Sequence, residues 1–267
     1  MPTVPVLMYH HVNPNKGDMI TVAPDVFEKQ MRHIKEKGYR TLSLSELIDF
    51  IEGRVHFKEK CVAITFDDGY LDNYIYAYPI LKRYGLRAAV FLVSRWVDGA
   101  SVIKDKKAVV DEYRKRPVTH SDAKALAEKK EFERFSISWD MVFEMRKSGL
   151  IEFYSHTASH SACDTISGEE VLKELKESKA TIESRLRERC DLLCWPKGRF
   201  NAASVEAAKQ AGYKGLFTTV HGIVKKGSSP FSIKRIVVKD KADWFRSRLR
   251  IYTNPLMAEV YLRFKKA

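Results

Sequence analysis

Short apolar runs alternate with amphipathic helical segments along most of this 267-residue chain. The runs Cys61–Phe66 and Ala88–Val93 consist almost entirely of apolar residues. Strands of a parallel sheet have this composition because helices cover both of their faces, whereas strands with one wet face alternate apolar and polar residues. Repeated strand–helix units therefore predict an α/β fold whose parallel strands are joined by right-handed crossovers. This pattern alone does not distinguish a closed barrel from an open sheet.

Helical periodicity and turn signals locate the individual elements. Strands are predicted at 4–9, 61–66, 88–93, 152–155, 192–195, 215–219 and 233–238, and helices near 27–38, 45–51, 72–84, 139–147, 168–188 and 202–211. Ser45 is the predicted N-cap of the second helix, and Pro79 is expected to bend the third. Residues 97–134 do not follow the pattern, since they contain ten Lys or Arg, eight Asp or Glu and few large apolar residues. We expect them to form an insertion.

The chain has no apolar stretch of the length that a transmembrane helix needs. Its N-terminus has the pattern of a strand and not of a signal peptide, so we expect a cytoplasmic protein. The four cysteines, Cys61, Cys163, Cys190 and Cys194, include no Cys-x-x-Cys pair. Reduced thiols fit this spacing better than a disulfide framework.

The formal net charge of +13 bears on the choice of partner. The basic residues are dispersed among acids and form no nucleic-acid-binding motif, so a nucleic-acid partner is not predicted. Phosphorylated or membrane-anchored anionic substrates fit this charge better. Residues 239–267 hold eight Lys or Arg and three acids among large apolar residues. This basic segment either contacts the inner face of an anionic membrane or packs on the domain as ordinary amphipathic helices. The sequence predicts no oligomeric state.

Two polar groups follow predicted strands, where α/β folds place their chemistry. Asp67-Asp68-Gly69 ends the run at 61–66, and His156 and His160 follow the strand at 152–155. Each group has an ordinary alternative, since Asp-Gly pairs favour turns and most histidine pairs bind no metal. Together, two imidazoles and one carboxylate can bind a divalent metal with positions left for water and substrate. The combination predicts a hydrolytic metal site with a second carboxylate beside it.

Thr65-Phe66-Asp67-Asp68-Gly69 and Ser155-His156-Thr157-Ala158-Ser159-His160 resemble the first two motifs of the polysaccharide deacetylases, carbohydrate esterase family four. Pro5-Val6-Leu7-Met8-Tyr9-His10-His11-Val12 resembles the start of the branch that includes the poly-N-acetylglucosamine deacetylases. The resemblance extends from about residue 4 to about residue 238. It implies a catalytic domain over 1–238, folded as a distorted (β/α) barrel of about seven parallel strands. The insertion at 97–134 would lie over the barrel mouth, and 239–267 would form a separate segment.

The same resemblance assigns roles to the first two motifs. Asp68, His156 and His160 are the implied metal ligands, and Asp67 is the implied general base. Consecutive strand side chains alternate, so Asp67 and Asp68 are expected to point in different directions. The four-residue spacing is expected to place both imidazoles on one face of a helical turn. Mixed nitrogen and oxygen ligands suit one divalent ion, for which Zn²⁺ is favoured and Co²⁺, Ni²⁺ or Fe²⁺ are alternatives.

Cys194-Trp195-Pro196-Lys197-Gly198 is the best match to the third motif, which in many members reads Arg-x-Pro-Tyr. The family's oxyanion contact from a backbone N–H would here come from Lys197, whose side chain could also meet an anionic group. Tyr70, Trp195, Pro196 and Arg235 are the predicted substrate-binding residues. Trp195 fits a core position equally well. Arg235 could instead pair with a carboxylate, or form an ordinary surface ion pair.

The late Leu-x-His motif, which supplies the general acid in the family, is absent. His10 is the favoured replacement, because it ends the first strand and a Tyr-His pair recurs there in this branch. Its neighbour His11 is expected to point away. His221, in a predicted loop, is the alternative.

The implied activity is metal-dependent hydrolysis of an N-acetylhexosamine with release of acetate. The expected substrate is a glycan, or a lipid- or nucleotide-linked precursor such as those of lipopolysaccharide assembly. One alternative is hydrolysis of another amide, such as a cyclic imide, at the same site. The other is a carbohydrate-binding pseudoenzyme, which the altered third motif and the missing late motif would explain.

Overall fold

The computed structural model describes residues 2–264 of the chain. Its strands are, in chain order, β1 (Thr3–Val4), β2 (Val6–Tyr9), β3 (His11–Val12), β4 (Thr21–Val22), β5 (Arg40–Thr41), β6 (Cys61–Phe66), β7 (Ala88–Leu92), β8 (Ile151–Ser155), β9 (Leu192–Cys194), β10 (Gly215–His221), β11 (Val224–Lys225) and β12 (Ile233–Val237). Its α-helices are α1 (Pro24–Glu36), α2 (Leu44–Ile51), α3 (Tyr78–Tyr84), α4 (Ser94–Ala100), α5 (Lys106–Lys115), α6 (His120–Glu128), α7 (Trp139–Lys147), α8 (Gly168–Leu186), α9 (Ala202–Gln210), α10 (Ala242–Tyr252) and α11 (Pro255–Phe264).

Seven parallel strands close into a barrel with helices around it. Their order is β2, β6, β7, β8, β9, β10 and β12, and β12 pairs back to β2. β5 pairs with β6 from outside the barrel, while β1 with β11 and β3 with β4 form separate two-stranded sheets. The predicted distorted (β/α) barrel of about seven parallel strands is confirmed.

The register between β2 and β6 sets where the chain leaves the barrel. Tyr9 pairs with Phe66, and the N–H of Asp67 donates to the carbonyl of Tyr9 at 3.0 Å. The residues that follow, His10 and Asp67, are therefore level with each other at the carboxyl ends of the strands. This is the end at which barrels of this kind carry their active sites.

Alternate residues of the strands fill the barrel interior. Cys61 and Ala63 of β6 belong to an apolar cluster with Phe91 and Phe217, whereas the residues between them pack against the outer helices. The same alternation continues along β6, so the side chain of Asp67 points into the upper end of the barrel. The chain's four cysteines are all buried and unpaired.

The insertion at 97–134 consists of the end of α4, helices α5 and α6, and a 3₁₀ turn at Phe132–Arg134. The Tyr113 hydroxyl donates to Asp72 Oδ2 at 3.0 Å, and Asn13 Nδ2 donates to the carbonyl of Val118 at 3.2 Å. Asp72 and Asn13 both lie just beyond the carboxyl ends of barrel strands. The insertion is therefore fastened at the mouth of the barrel.

One prediction of local structure needs correction. Ser43, not Ser45, caps α2, because its hydroxyl accepts from the N–H of Glu46 and the Glu46 carboxylate accepts from the N–H of Ser43. This reciprocal capping box satisfies two N–H groups that a cap at Ser45 would leave to water. Near Pro79 a π-helical turn at Asn73–Ala77 directly precedes α3, and the proline lies in the first turn of α3, where it costs no helical hydrogen bond. The bend expected at Pro79 stays a prediction.

The two helices of the C-terminal segment differ in how much of their apolar surface is buried. α10 packs against α1 and buries Phe245, Leu249 and Tyr252, as the alternative of an ordinary amphipathic helix predicts. α11 instead leaves Leu256 and Phe264 largely exposed. Residues 265–267, with Lys265 and Lys266, lie outside the described residues. Every helix within residues 2–264 is too short or too polar to cross a lipid bilayer.

Candidate metal and catalytic site

Barrel strands deliver the predicted catalytic and metal-binding residues to one end of the barrel. His10 follows β2, Asp67 and Asp68 follow β6, and His156 follows β8. The turn that contains Lys197 follows β9. Because the strands are parallel, these residues converge at the mouth, as the sequence predicts.

Asp67 is held by Arg235, which comes from the last barrel strand. Arg235 Nη1 and Nη2 donate to the two carboxylate oxygens of Asp67 at 2.6 and 2.7 Å. The guanidinium also donates to the carbonyl of Thr218 at 2.9 Å, and none of it reaches solvent. Burial would raise the pKa of Asp67, but the charge and hydrogen bonds of Arg235, together with the smaller effects of His10 and His156, lower this pKa below its ordinary value. Asp67 is thus ionised and fixed in orientation, and Arg235 contacts this carboxylate and lies out of reach of solvent.

Asp68, His156 and His160 form a compact cluster beside this pair. Asp68 Oδ1 lies 3.2 Å from His156 Nε2 and 3.1 Å from His160 Nε2. A φ of 71° turns Asp68 out of the strand, so the two aspartates point in different directions. The predicted helical turn is wrong, because Thr157 and His160 adopt positive φ values of 66° and 64° in a loop. The left-handed residues bring the imidazole rings together, with 5.1 Å between their centroids.

The cluster has the properties of a cation site. His156 Nδ1 donates to the carbonyl of Cys194 at 2.7 Å, which leaves Nε2 with its lone pair towards Asp68. Asp68 Oδ1 is buried and accepts no hydrogen bond within the described part of the chain. Burial would lower the pKa of His156, but Cys194 and Asp68 outweigh it and raise this pKa well above its ordinary value. Three ligand atoms that lie within 4.8 Å of one another therefore favour positive charge between them.

Asp67, His156 and Cys194 also lie close enough together to be considered as ligands. Arg235 already occupies both oxygens of Asp67, and its Nη2 lies 3.0 Å from Cys194 Sγ. A second cation at this point would face the guanidinium. The set of Asp68, His156 and His160 is therefore the one that fits a metal.

The structure places His10, and not His221, beside Asp67. His10 Nε2 lies 3.7 Å from Asp67 Oδ2. Burial lowers the pKa of His10 below its ordinary value, and the charges of Asp67 and Asp68 oppose this only in part. His11 turns away, as expected, and pairs with Asp72 at 2.7 Å. His221 ends β10 instead of lying in a loop, and it contacts the Tyr252 hydroxyl of α10 at 2.9 Å.

The third motif forms a tight turn above β9. Lys197 has a φ of 58°, and the hydrogen bonds of the turn join Gly198 N to the carbonyl of Trp195 and Arg199 N to that of Pro196. The N–H of Lys197 takes no part in these bonds, and its side chain is exposed. Gly198 has a φ of 65°, and a Cβ there would clash with the side chain of Thr219. Glycine is therefore required for the turn to approach β10.

All four predicted substrate-binding side chains are buried in this arrangement, including Arg235 beside Asp67. Trp195 stacks on Phe200 and has no exposed surface, which agrees with the alternative of a core tryptophan. Pro196 is buried beside it. Tyr70 stacks on the imidazole of His11, with 3.7 Å between ring centroids. Their predicted contact with a sugar stays a prediction.

Two aromatic residues near the cluster were not singled out from the sequence. Trp96 of α4 lies 5.2 Å from the ring of His160, measured between centroids. His120, the first residue of α6 in the insertion, contacts the Tyr70 hydroxyl through Nδ1 at 3.3 Å. Burial, with smaller effects of Lys124 and His11, lowers the pKa of His120 to about 4. No motif marks these two residues, because their position depends on how the insertion folds over the mouth.

Comparison with known proteins agrees with this geometry. The polysaccharide deacetylase family model matches residues 54–216. The chain is 27% identical over 235 residues to YxkH of Bacillus subtilis (strain 168), whose given name places it among polysaccharide deacetylases. The match covers 88% of this chain and 71% of that protein. The chain is also 25% identical over 244 residues to the poly-beta-1,6-N-acetyl-D-glucosamine N-deacetylase of Escherichia coli (strain K12). This match covers 87% of this chain but only 36% of that enzyme. The solved structure of the Streptococcus pyogenes deacetylase PplD shares the fold, with a TM-score of 0.77 at 24% identity over 96% of this chain and 100% of that one.

Proposed function

Because the chain belongs to the polysaccharide deacetylase family, we propose that it hydrolyses the amide of an N-acetylated hexosamine and releases acetate. The observation that carries the proposal is the cluster of Asp68, His156 and His160 beside an ionised Asp67. A ligand set, a base and a nearby imidazole are the groups that metal-assisted amide hydrolysis needs.

A divalent metal at the cluster would polarise the acetyl carbonyl and lower the pKa of the attacking water. Asp67 accepts the proton of that water. The N–H of Lys197 donates to the carbonyl oxygen as it gains negative charge. His10, 3.7 Å from Asp67, gives a proton to the departing amine. The ionised carboxylate of Asp67 and the imidazole of His10, which can carry a proton, therefore lie side by side.

The contact with Arg235 determines the ionisation and the orientation of the Asp67 carboxylate. A lowered pKa makes Asp67 a weaker base, but it keeps the carboxylate ionised at every pH near neutrality. The bidentate contact also holds both oxygens in one plane, so the carboxylate cannot rotate away from the water. Orientation and ionisation, more than basicity, are therefore what this carboxylate contributes.

We propose N-acetylglucosamine or a related sugar as the acetylated residue, within a glycan or a lipid- or nucleotide-linked precursor such as those of lipopolysaccharide. The Escherichia coli relative is named for poly-beta-1,6-N-acetyl-D-glucosamine. The net charge of +13 favours substrates that carry phosphate or other anionic groups.

We propose Zn²⁺ as the metal, with Co²⁺, Ni²⁺ and Fe²⁺ as alternatives. Two imidazole nitrogens and one carboxylate oxygen suit each of these ions. The hydrogen bond from His156 Nδ1 to the carbonyl of Cys194 fixes the tautomer that presents Nε2 to any of them.

The two other functions remain distinguishable from this one. A cyclic imidase would use the same cluster on a different amide. A carbohydrate-binding pseudoenzyme would explain the altered third motif, but it would not need the buried Asp67–Arg235 pair. We therefore rank both below deacetylation.

Peripheral membrane contact through residues 239–267 and a position at the inner face of the membrane also remain proposals. The exposed apolar residues of α11 and the arginines of α10 support a membrane contact. The four unpaired, buried cysteines agree with a reducing compartment.

The decisive experiment measures acetate release by the purified protein after chelation and re-addition of each metal. The panel contains N-acetylglucosamine oligomers, nucleotide- and lipid-linked N-acetylhexosamines, and a cyclic imide, with Asp67→Asn as the matched control. We expect metal-dependent acetate release from at least one N-acetylhexosamine, and none from the control. Turnover of the imide alone would establish the first alternative, and binding of oligomers without any turnover would establish the second.

A further inference from the structure

A cleft of about 470 Å³ lies between α1 and α10, apart from the catalytic residues. Its walls carry five basic side chains and the ring of Tyr39; the five are His33, Lys37, Lys60, Arg246 and Arg250. We call this the basic cleft. The described residues that line the cleft include no Asp or Glu. Its size lies within the range of sites that bind small molecules.

The cations of the basic cleft are largely uncompensated. Within residues 2–264, Lys37, Lys60 and Arg250 have no carboxylate at ion-pair distance. Arg246 has one partner, Asp243, at 3.6 Å on the exposed surface of the same helix, and such a contact contributes little. Like charges held together without counter-ions repel one another, so an anion that enters the cleft would relieve this repulsion.

The imidazole of His33 reports this positive potential. Burial lowers its pKa below the ordinary value, and the charges of Arg246 and Lys37 lower it further. Glu36 opposes these effects only weakly. The cleft therefore resists a further positive charge, as a site prepared for an anion does.

Helix ends explain only part of this arrangement. His33 and Lys37 lie at the carboxyl end of α1, where cations stabilise the helix dipole. Lys60, however, comes from the loop before β6, and Arg246 and Arg250 come from α10. Three separate segments therefore bring cations to one point. The helix dipole of α1 does not account for Lys60, Arg246 or Arg250.

The basic cleft lies at the opposite end of the barrel from the catalytic residues. Lys60 directly precedes β6, and Asp67 directly follows it. A strand rises about 3.3 Å per residue, so the two ends of β6 are roughly 20 Å apart. An anion in the basic cleft is thus not the amide that reaches the catalytic site.

We propose that the basic cleft is a binding site for an anion that carries phosphate groups. Arginine and lysine are the residues that bind phosphate in proteins, and two arginines one helical turn apart can share one or two such groups. The phosphate belongs either to a soluble phosphorylated compound or to the headgroup of an anionic lipid.

The first test follows the His33 imidazole by NMR while pyrophosphate is added to the wild-type protein. A bound anion should raise the pKa of His33 and shift its ring signals with saturation, because it offsets the charges of Arg246 and Lys37. A parallel measurement with phosphatidylglycerol vesicles and neutral phosphatidylcholine vesicles uses co-sedimentation at low salt. Saturable pyrophosphate binding identifies a soluble ligand, and binding to anionic vesicles alone identifies a lipid headgroup.

The second test compares variants of the basic cleft with a control on α10. Arg246→Gln/Arg250→Gln removes two cations from the basic cleft, and Lys37→Gln/Lys60→Gln removes two others. Arg248→Gln removes an arginine of the same helix that instead lies over the ring of Tyr261 at 4.5 Å. Each cation that faces an anionic surface contributes about fivefold to the affinity. We therefore expect each double variant to bind at least tenfold more weakly than Arg248→Gln.

Deacetylation of a small soluble N-acetylhexosamine should be unchanged in all three variants, since none of these residues lies at the mouth. The proposal is overturned if neither pyrophosphate nor anionic vesicles bind the wild type. It is equally overturned if Arg248→Gln weakens binding as much as the single variant Arg250→Gln does, because the effect would then come from net charge alone.

Discussion

Replacement of Arg235 by methionine tests whether a buried guanidinium holds the base in its ionised form. Both side chains of the Asp67–Arg235 pair are buried, and Arg235 donates to both carboxylate oxygens. Methionine has a similar length but no charge and no donors. Arg235→Met therefore leaves a buried carboxylate without a counter-ion.

The burial of the ion pair determines the expected loss of stability. Loss of one partner of a buried ion pair costs about 3–5 kcal/mol of unfolding free energy. The cost should depend on pH with a definite sign. In the wild type the pKa of Asp67 is lowered, so its contribution to stability is present above the unfolded pKa of about 4 and is lost as the pH falls through the folded pKa. The difference between wild type and variant should therefore be largest near pH 7 and shrink in acid.

Urea denaturation at pH 7 and at pH 4 measures both quantities. Asp67→Asn and the double variant Asp67→Asn/Arg235→Met complete a double-mutant cycle, for which we expect a coupling of about 1–3 kcal/mol at pH 7. The acid limb of the pH–rate profile should also move to higher pH in Arg235→Met, since the main opposition to the effect of burial on the pKa of Asp67 is then lost. If Arg235→Met does not fold, Arg235→Lys, which keeps the charge but loses the bidentate contact, should show a smaller change in the same direction.

A loss of stability that is equal at both pH values would refute this reasoning. So would a coupling near zero. Either result would mean that Arg235 stabilises the barrel through its contacts with Thr218 and Thr65 alone, and that Asp67 is ionised without it.

Three further predictions concern the mouth of the barrel. Asp67→Asn should retain the metal and the fold but lose about 10²–10⁴-fold in kcat, and a variant with most of its activity would require another base. His156→Ala/His160→Ala should bind no metal in elemental analysis, because it keeps only Asp68 of the cluster, and an undiminished metal content would exclude this site. His10→Ala should lower kcat and remove the alkaline limb of the pH–rate profile, which in the wild type should begin below the pH typical of a free imidazole because burial lowers the pKa of His10. His221→Ala should leave that limb in place, and the reverse pattern would move the role of the acid to His221.

The sequence was informative wherever local chain order determines position. The apolar run at 61–66 predicts a buried strand, and the residue that follows such a strand must lie at the barrel's end. The positions of Asp67, the proposed base, and of Asp68, a proposed metal ligand, could therefore be predicted without a structure. The positions of the two histidines of the cluster could be predicted for the same reason, although not their conformation. Positive φ is unusual for a β-branched residue such as Thr157, and no periodicity along the chain predicts it at Thr157 or His160.

Contacts between distant segments could not be predicted in the same way. The pairing of Arg235 with Asp67 depends on the closure of the barrel between β12 and β2 and on the register of that pairing. A change of register by one residue would turn the guanidinium to the outer helices. The burial of Trp195 and the position of His120 likewise follow from the packing of elements against each other, to which spacing along the chain is not sensitive.

The origin of Arg235 in the last barrel strand also has a consequence for the order of biosynthesis. A chain that leaves the ribosome exposes Asp68, His156 and His160 long before β12. Until β12 closes the barrel, Asp67 lacks its counter-ion, although the three proposed metal ligands have already been synthesised. A polypeptide that ends before β12 is therefore expected to lack the arginine that orients the proposed base, so that any hydrolytic activity requires this strand.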